Sequence, residues 1–133
     1  MSLNLSGVVT LLQVFDMPTS SRSCRDRLDL QVIQQSQPSD DCGWAWVRLD
    51  DAELMLNTAF EPEHRPSAPD PARVSAHEDT VLFFGCPDVD GAYSSLQSMG
   101  VSASPPTTAP YGMRQLSFRD PDGYGSRLQC KAL

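Results

Sequence analysis

Tyr111-Gly112-Met113-Arg114-Gln115-Leu116-Ser117-Phe118-Arg119-Asp120-Pro121-Asp122-Gly123-Tyr124 is an alternating strand that runs into the turn Asp-Pro-Asp-Gly and out into a second strand ending near Cys130. Pro121 pre-sets the first turn angle, Asp122 can bond its own backbone, and Gly123 supplies the positive φ that closes a tight connection. Local physics alone predicts a β-hairpin.

Working back from that hairpin, Val101-Ser102-Ala103 reads as a further strand. A helix is expected from Pro87-Asp88-Val89-Asp90 to about Met99, stopped by Gly100, with Val89, Ala92, Tyr93 and Leu96 on one apolar face. Thr80 to Gly85 is an apolar strand. The same order appears once more upstream. Val8 to Phe15 is a β-branched strand, Thr19 or Ser20 can cap a helix reaching Arg27, and Leu30–Gln34, Trp44–Leu49 and Glu53–Asn57 read as three strands, the last two turning at Asp50-Asp51. Between the copies, residues 60–76 carry prolines at 62, 66, 69 and 71 and no apolar period, and read as an extended linker. The chain is a βαβββ unit written twice.

At 133 residues with 40% apolar composition, one domain with a real core is expected. Ten Lys and Arg against 17 Asp and Glu give a net charge of −7, which lacks the basic footprint of a nucleic-acid-binding surface. No apolar run approaches a membrane span, and the N-terminus has no cationic region followed by an apolar core, so the expected compartment is the cytoplasm. Cys24, Cys42, Cys86 and Cys130 lack Cys-x-x-Cys spacing and read as buried free thiols. No nucleophile motif and no phosphate-cradling glycine loop is present.

Two βαβββ units and a strand closing on Asp-Pro-Asp-Gly-Tyr resemble the glyoxalase/bleomycin resistance/dioxygenase superfamily, the vicinal oxygen chelate fold. The resemblance implies an α+β domain spanning 1–133, with module one at about 6–59, a linker at about 60–78 and module two at about 79–131. It further implies a curled mixed sheet around a cavity. It also implies a homodimer, because units of this fold commonly pair.

Metal-using relatives take one His or carboxylate ligand from each of four strands. Aligned on Phe15-Asp16, the first position falls on Val8 or Val9 and the third on Val81 or Thr80. The second falls on Glu53, within Glu53-Leu54-Met55-Leu56-Asn57, which is similar to the Glu-Leu-x-x-Asn of glyoxalase I. The fourth falls on Arg127, a cation where the family places a carboxylate. The resemblance therefore implies no metal and no other cofactor, and it leaves two readings of Glu53 and Arg127: a buried carboxylate–guanidinium pair, or an Arg127 that points into solvent at the sheet edge with Glu53 a half-exposed strand residue. His64 and His77, in or beside the linker, read as solvated loop histidines.

Strand alternation puts Met55 and Asn57 on the face of Glu53, and turns Leu54 and Leu56 toward helices. By the same parity Leu11 and Gln13 join them with Val9, Phe83 follows Val81, and Gln129 follows Arg127. The candidate ligand-binding residues are Gln13, Trp46, Glu53, Met55, Asn57, Phe83, Tyr111 and Arg127, an apolar lining with polar anchors of the kind small-molecule sites use. Tyr111, in a loop after Pro105, Pro106 and Pro110, and Tyr124 can serve as acids or hydrogen-bond donors at the rim, with a packing aromatic as the other reading of Tyr111. The first helix has little apolar face and is expected to pack weakly, as a displaced helix or against another subunit. Three functions stay open: a metal-free protein that sequesters a small molecule, as bleomycin resistance proteins do; a metal-dependent lyase or dioxygenase resembling glyoxalase I; and a module without a ligand.

Overall fold

The computed structural model describes residues 2–133 and divides into two units, one ending at Arg65 and the other spanning Pro66–Leu133. Each carries a four-stranded mixed sheet with helices, an α+β fold of two βαβββ units.

In the first unit β1 (Thr10–Val14) is followed by α1 (Met17–Leu28), β2 (Gln31–Gln35), β3 (Trp44–Leu49) and β4 (Ala52–Thr58), with sheet order β1-β4-β3-β2. β1 runs parallel to β4, which requires a long connection, and α1 lies in it. The alternation is clean. Leu12, Val14, Ala45, Val47, Leu54 and Leu56 are buried on one face, and each larger aliphatic contributes about 1.5–3 kcal/mol by leaving water.

α1 differs from its expected form in two ways. It starts at Met17 with Asp16 as the extended cap residue and Pro18 in the first turn, two to three residues before Thr19 and Ser20. It also packs against β4 of its own sheet, because Met17, Ser20 and Ser21 are buried: one flexible apolar side chain and two small hydroxyls let the helix come close without a broad apolar face.

Arg65 closes this unit. Its Nε donates to the Phe15 carbonyl at 3.1 Å, its Nη2 to Asp41 at 2.7 Å, and its Nη1 lies 3.3 Å from Asp16, with only 16% of the side chain exposed. One side chain thus ties the β1–α1 junction to the β2–β3 loop. Arg65→Ala is expected to lower unfolding free energy by about 1–2 kcal/mol, the range for losing charged hydrogen bonds in a partly solvated setting. Urea denaturation of the variant checks this.

The second unit contains α2 (Pro71–Ala76), β5 (Val81–Gly85), α3 (Val89–Ser98), β6 (Thr107–Thr108), β7 (Met113–Arg119) and β8 (Gly125–Lys131), with sheet order β5-β8-β7-β6. α3 is capped by Asp88, whose side chain accepts from the Gly91 amide at 2.9 Å, and Gly100 follows its end at φ +76°. Val89 and Leu96 are buried against the sheet, as their spacing predicts. The edge strand is not at Val101–Ala103. Pro105 and Pro106 have no amide to donate, so after a single bond from Ser104 to the Ser117 carbonyl the ladder resumes only at Thr107.

The segment read as extended is folded in part. A 3-10 turn spans Pro62–His64, α2 starts at Pro71 with Asp70 accepting from the Ala72 amide at 3.0 Å, and a second 3-10 turn covers His77–Asp79. This places His77 on the Asp-Pro-Asp-Gly turn: its Nδ1 is 2.7 Å from the Asp122 carbonyl oxygen and its ring stacks on Tyr124, 4.0 Å between centroids and 9° between planes. His77 is therefore not a solvated loop histidine. Tyr124 is buried and is not a rim donor. Of the four free cysteines only Cys42 is buried, and burial pushes its thiol up.

Candidate ligand-binding sheet faces

Each sheet packs one face under its helix, α1 on β4 and α3 on β7 and β8, and parity sends the chemistry-bearing side chains to the other face, on which no helix packs among the described residues. In the first unit the register pairs Gln13 with Asn57, Leu11 and Trp46 with Met55, Trp44 with Asn57, and Arg48 with Glu53. Gln13, Trp46, Glu53, Met55 and Asn57 therefore share a face, as alternation predicts. Asn57 Nδ2 donates to Gln13 Oε1 at 3.4 Å. Glu53 has its ion pair on its own sheet, with Arg48 at 3.8 Å. The indole Nε1 of Trp46 is buried without a hydrogen-bond partner, a donor that costs free energy until it meets an acceptor.

In the second unit the register pairs Phe83 with Arg127, Ser117 with Arg127, and Gln115 with Gln129. Arg127 Nε donates to Ser117 Oγ at 3.0 Å, and its guanidinium lies over the Phe83 ring at 5.1 Å from the centroid. Gln115 Nε2 donates to Gln129 Oε1 at 2.9 Å and to the Tyr111 hydroxyl at 2.7 Å. Phe83 and Arg127 thus meet directly, while the exposed Tyr111 joins the neighbouring Gln115–Gln129 pair.

Parity missed four members: Trp44, Arg48, Gln115 and Ser117. The last two can be found by counting. The turn sets Arg119 opposite Gly125, so Ser117 must face Arg127 and Gln115 must face Gln129.

The donor set does not suit a metal. At the positions the resemblance assigns to ligands, Val8 or Val9 and Val81 or Thr80 offer no His or carboxylate, Glu53 lies 3.8 Å from Arg48, and the fourth falls on the cation Arg127. Among the described residues no three His, Cys, Asp or Glu side chains stand close enough to share an ion.

Residues 8–127 match the model of the glyoxalase/bleomycin resistance protein/dioxygenase superfamily. The chain belongs to that superfamily. A search of curated proteins finds no match. Among solved structures, superfamily members of the same fold include a glyoxalase/bleomycin resistance protein/dioxygenase from Nocardioides, at 18% identity over 98% of this chain and 87% of that one with a TM-score of 0.71. TnmS3, an antibiotic-binding protein from Streptomyces sp. CB03234, is 22% identical over 97% and 100% with a TM-score of 0.65. A lactoylglutathione lyase from Agrobacterium tumefaciens is 15% identical over 95% and 94% with a TM-score of 0.67. Superfamily membership and these likenesses give the fold, and the named activities remain those of the relatives. Among the described residues no helix is long and apolar enough to cross a membrane.

Proposed function

We propose that this superfamily member is a metal-free protein that binds and sequesters a small molecule, acting in the cytoplasm as a homodimer with no nucleic-acid partner. The observation that carries the reading is Arg127. At the position where metal-using relatives have a carboxylate, a guanidinium stands between Ser117 and Phe83, where it repels a cation and can hold a ligand. On the same sheet as Arg127, Phe83 and Tyr111 supply aromatic lining; taken by itself, the first sheet carries a comparable set in Trp46, Met55 and Leu11 with Gln13 and Asn57. The likeness in fold to TnmS3, an antibiotic-binding protein, supports the small-molecule part of this reading.

The test is a thermal-shift titration of chelator-stripped protein, first with nickel, zinc, manganese and iron(II), then with bleomycin and a panel of other small molecules. A ligand that binds only the native state raises Tm by linkage, by about 2.7 kcal/mol of stabilisation at a hundred times its Kd. The expected result is no metal-dependent rise and a saturable rise with at least one organic compound. A saturable rise with one metal overturns the reading in favour of a glyoxalase I-like lyase or dioxygenase. Light scattering tests the dimer, with twice the chain mass expected.

A further inference from the structure

Arg127 has no ion-pair partner among the described residues. The chain holds 17 acidic residues to 10 Lys and Arg, so carboxylates outnumber cations, yet none of the ion pairs among the described residues includes Arg127. Arg25, Arg48, Arg65 and Arg114 all have one. Arg127 is also half-buried, where a charge loses hydration and an uncompensated guanidinium is disfavoured.

The geometry nevertheless holds it in place. Its Nε bond to Ser117 fixes the plane, and the Phe83 ring, 52% exposed, supports it from β5. These contacts use one N–H and one π-face. The two terminal nitrogens, which form the fork that matches a planar anion, have no partner among the described residues. At the next same-face pair of the β7–β8 ladder, Gln115 with Gln129, the Tyr111 hydroxyl accepts from Gln115, which leaves its own hydrogen free to donate.

We propose that the helix-free face of the second sheet is an anion-recognition site anchored by Arg127, and that its ligand is an aromatic compound carrying a carboxylate, phenolate or sulfonate group. This rests on the small-molecule-binding reading above and names its ligand class. The anionic group meets the guanidinium fork, Tyr111 is the second donor, and the ring system packs on the exposed part of Phe83. With the chain at −7, the overall field repels such a ligand, so its affinity comes from this local arrangement.

Two fluorescent dyes of the same ring skeleton test it: anionic anilinonaphthalene sulfonate and its uncharged parent, N-phenyl naphthylamine, titrated into the purified wild-type protein and into Arg127→Met. Methionine keeps the length and the contact with Phe83 while removing the charge. The expected result is that the wild type binds both dyes and that Arg127→Met weakens the sulfonate about tenfold to a hundredfold, the range for a charged hydrogen-bonded contact, while changing the neutral dye less than twofold. Sulfonate binding that is unchanged in the variant, with the neutral dye still bound, overturns the anion site and leaves the small-molecule reading standing. Failure of the wild type to bind the sulfonate overturns the anion site whether or not the neutral dye binds, and the small-molecule reading is then decided by the compound panel above. Should circular dichroism show Arg127→Met unfolded, Arg127→Gln gives the same comparison.

Discussion

Gly123→Ala is expected to lower the melting temperature by more than about 10 °C, measured by circular dichroism or calorimetry, through two separable costs. Gly123 sits at φ +89°, a conformation that costs an L-residue about 1–2 kcal/mol. A Cβ there would also meet the Val74 carbonyl oxygen at 2.4 Å and Val74 Cγ1 at 3.0 Å. The obstacle is backbone of α2, so it cannot yield by changing a rotamer. Relieving it moves α2 off the turn and with it the His77 bond to the Asp122 carbonyl and the stack on Tyr124. The combined loss is about 3–5 kcal/mol, and each kcal/mol is worth about 3–5 °C in a chain of this size. Gly112→Ala separates the costs. Gly112 has φ +88° and nothing within 4 Å of an added Cβ, so only the dihedral penalty applies, about 1 kcal/mol. Equal losses in the two variants would refute the steric argument.

The same turn shows how far the sequence can be read. Asp-Pro-Asp-Gly announces a tight connection because its constraints are local: a fixed φ at Pro121, a positive φ at Gly123, and a carboxylate, Asp120, that accepts from the Asp122 and Tyr124 amides at 2.9 Å. What packs on the turn is not local. Val74 and His77 reach it from about 45 residues earlier, and six residues of α2 are too few to show a helical period. Asp70-Pro71 was a readable start signal, a cap residue followed by proline, but four prolines in the stretch masked it. α2 is stabilised by docking, which composition does not reveal.

The candidate site divides the same way. Parity along a strand is a local property, and it sorted Glu53, Met55 and Asn57 from Leu54 and Leu56, and Phe83 and Arg127 from Leu128, with no knowledge of the partners. Pairing needs register. For β7 and β8 the turn supplies it, so the Ser117–Arg127 bond was within reach of counting, whereas Glu53 opposite Arg48 depended on treating Asp50-Asp51 as a two-residue connection. Arg65 carried no such signal. It lies in a polar segment, and its partners, the adjacent Phe15 and Asp16 at the β1–α1 junction and Asp41 in the β2–β3 loop, lie 24 to 50 residues earlier in the chain.

Asp120 makes stability depend on pH in a direction opposite to most carboxylates. Burial, then the neighbouring charge of Asp122, push its pKa up to about 6, against the pull of the Tyr124 and Asp122 amides and of His77. Its unfolded value is near the ordinary 3.8. Between those values the folded state binds more protons than the unfolded state, so this carboxyl's contribution is most favourable below about pH 4, declines as pH rises toward 6, and is level above. A rise of two units corresponds to about 3 kcal/mol, and solvent around a half-buried group trims it to about 2 kcal/mol. Asp120→Asn keeps an oxygen for both amides and cannot ionise. The expected result is that the variant matches the wild type at pH 4 and exceeds it by about 2 kcal/mol at pH 7.5, by urea denaturation at both values. Taking the difference between the two proteins cancels the other carboxylates, among them Asp90, which Arg114 holds below the usual range and which acts in the opposite sense. A difference that does not change with pH would show that Asp120 is already ionised at pH 4, with the two amides outweighing burial.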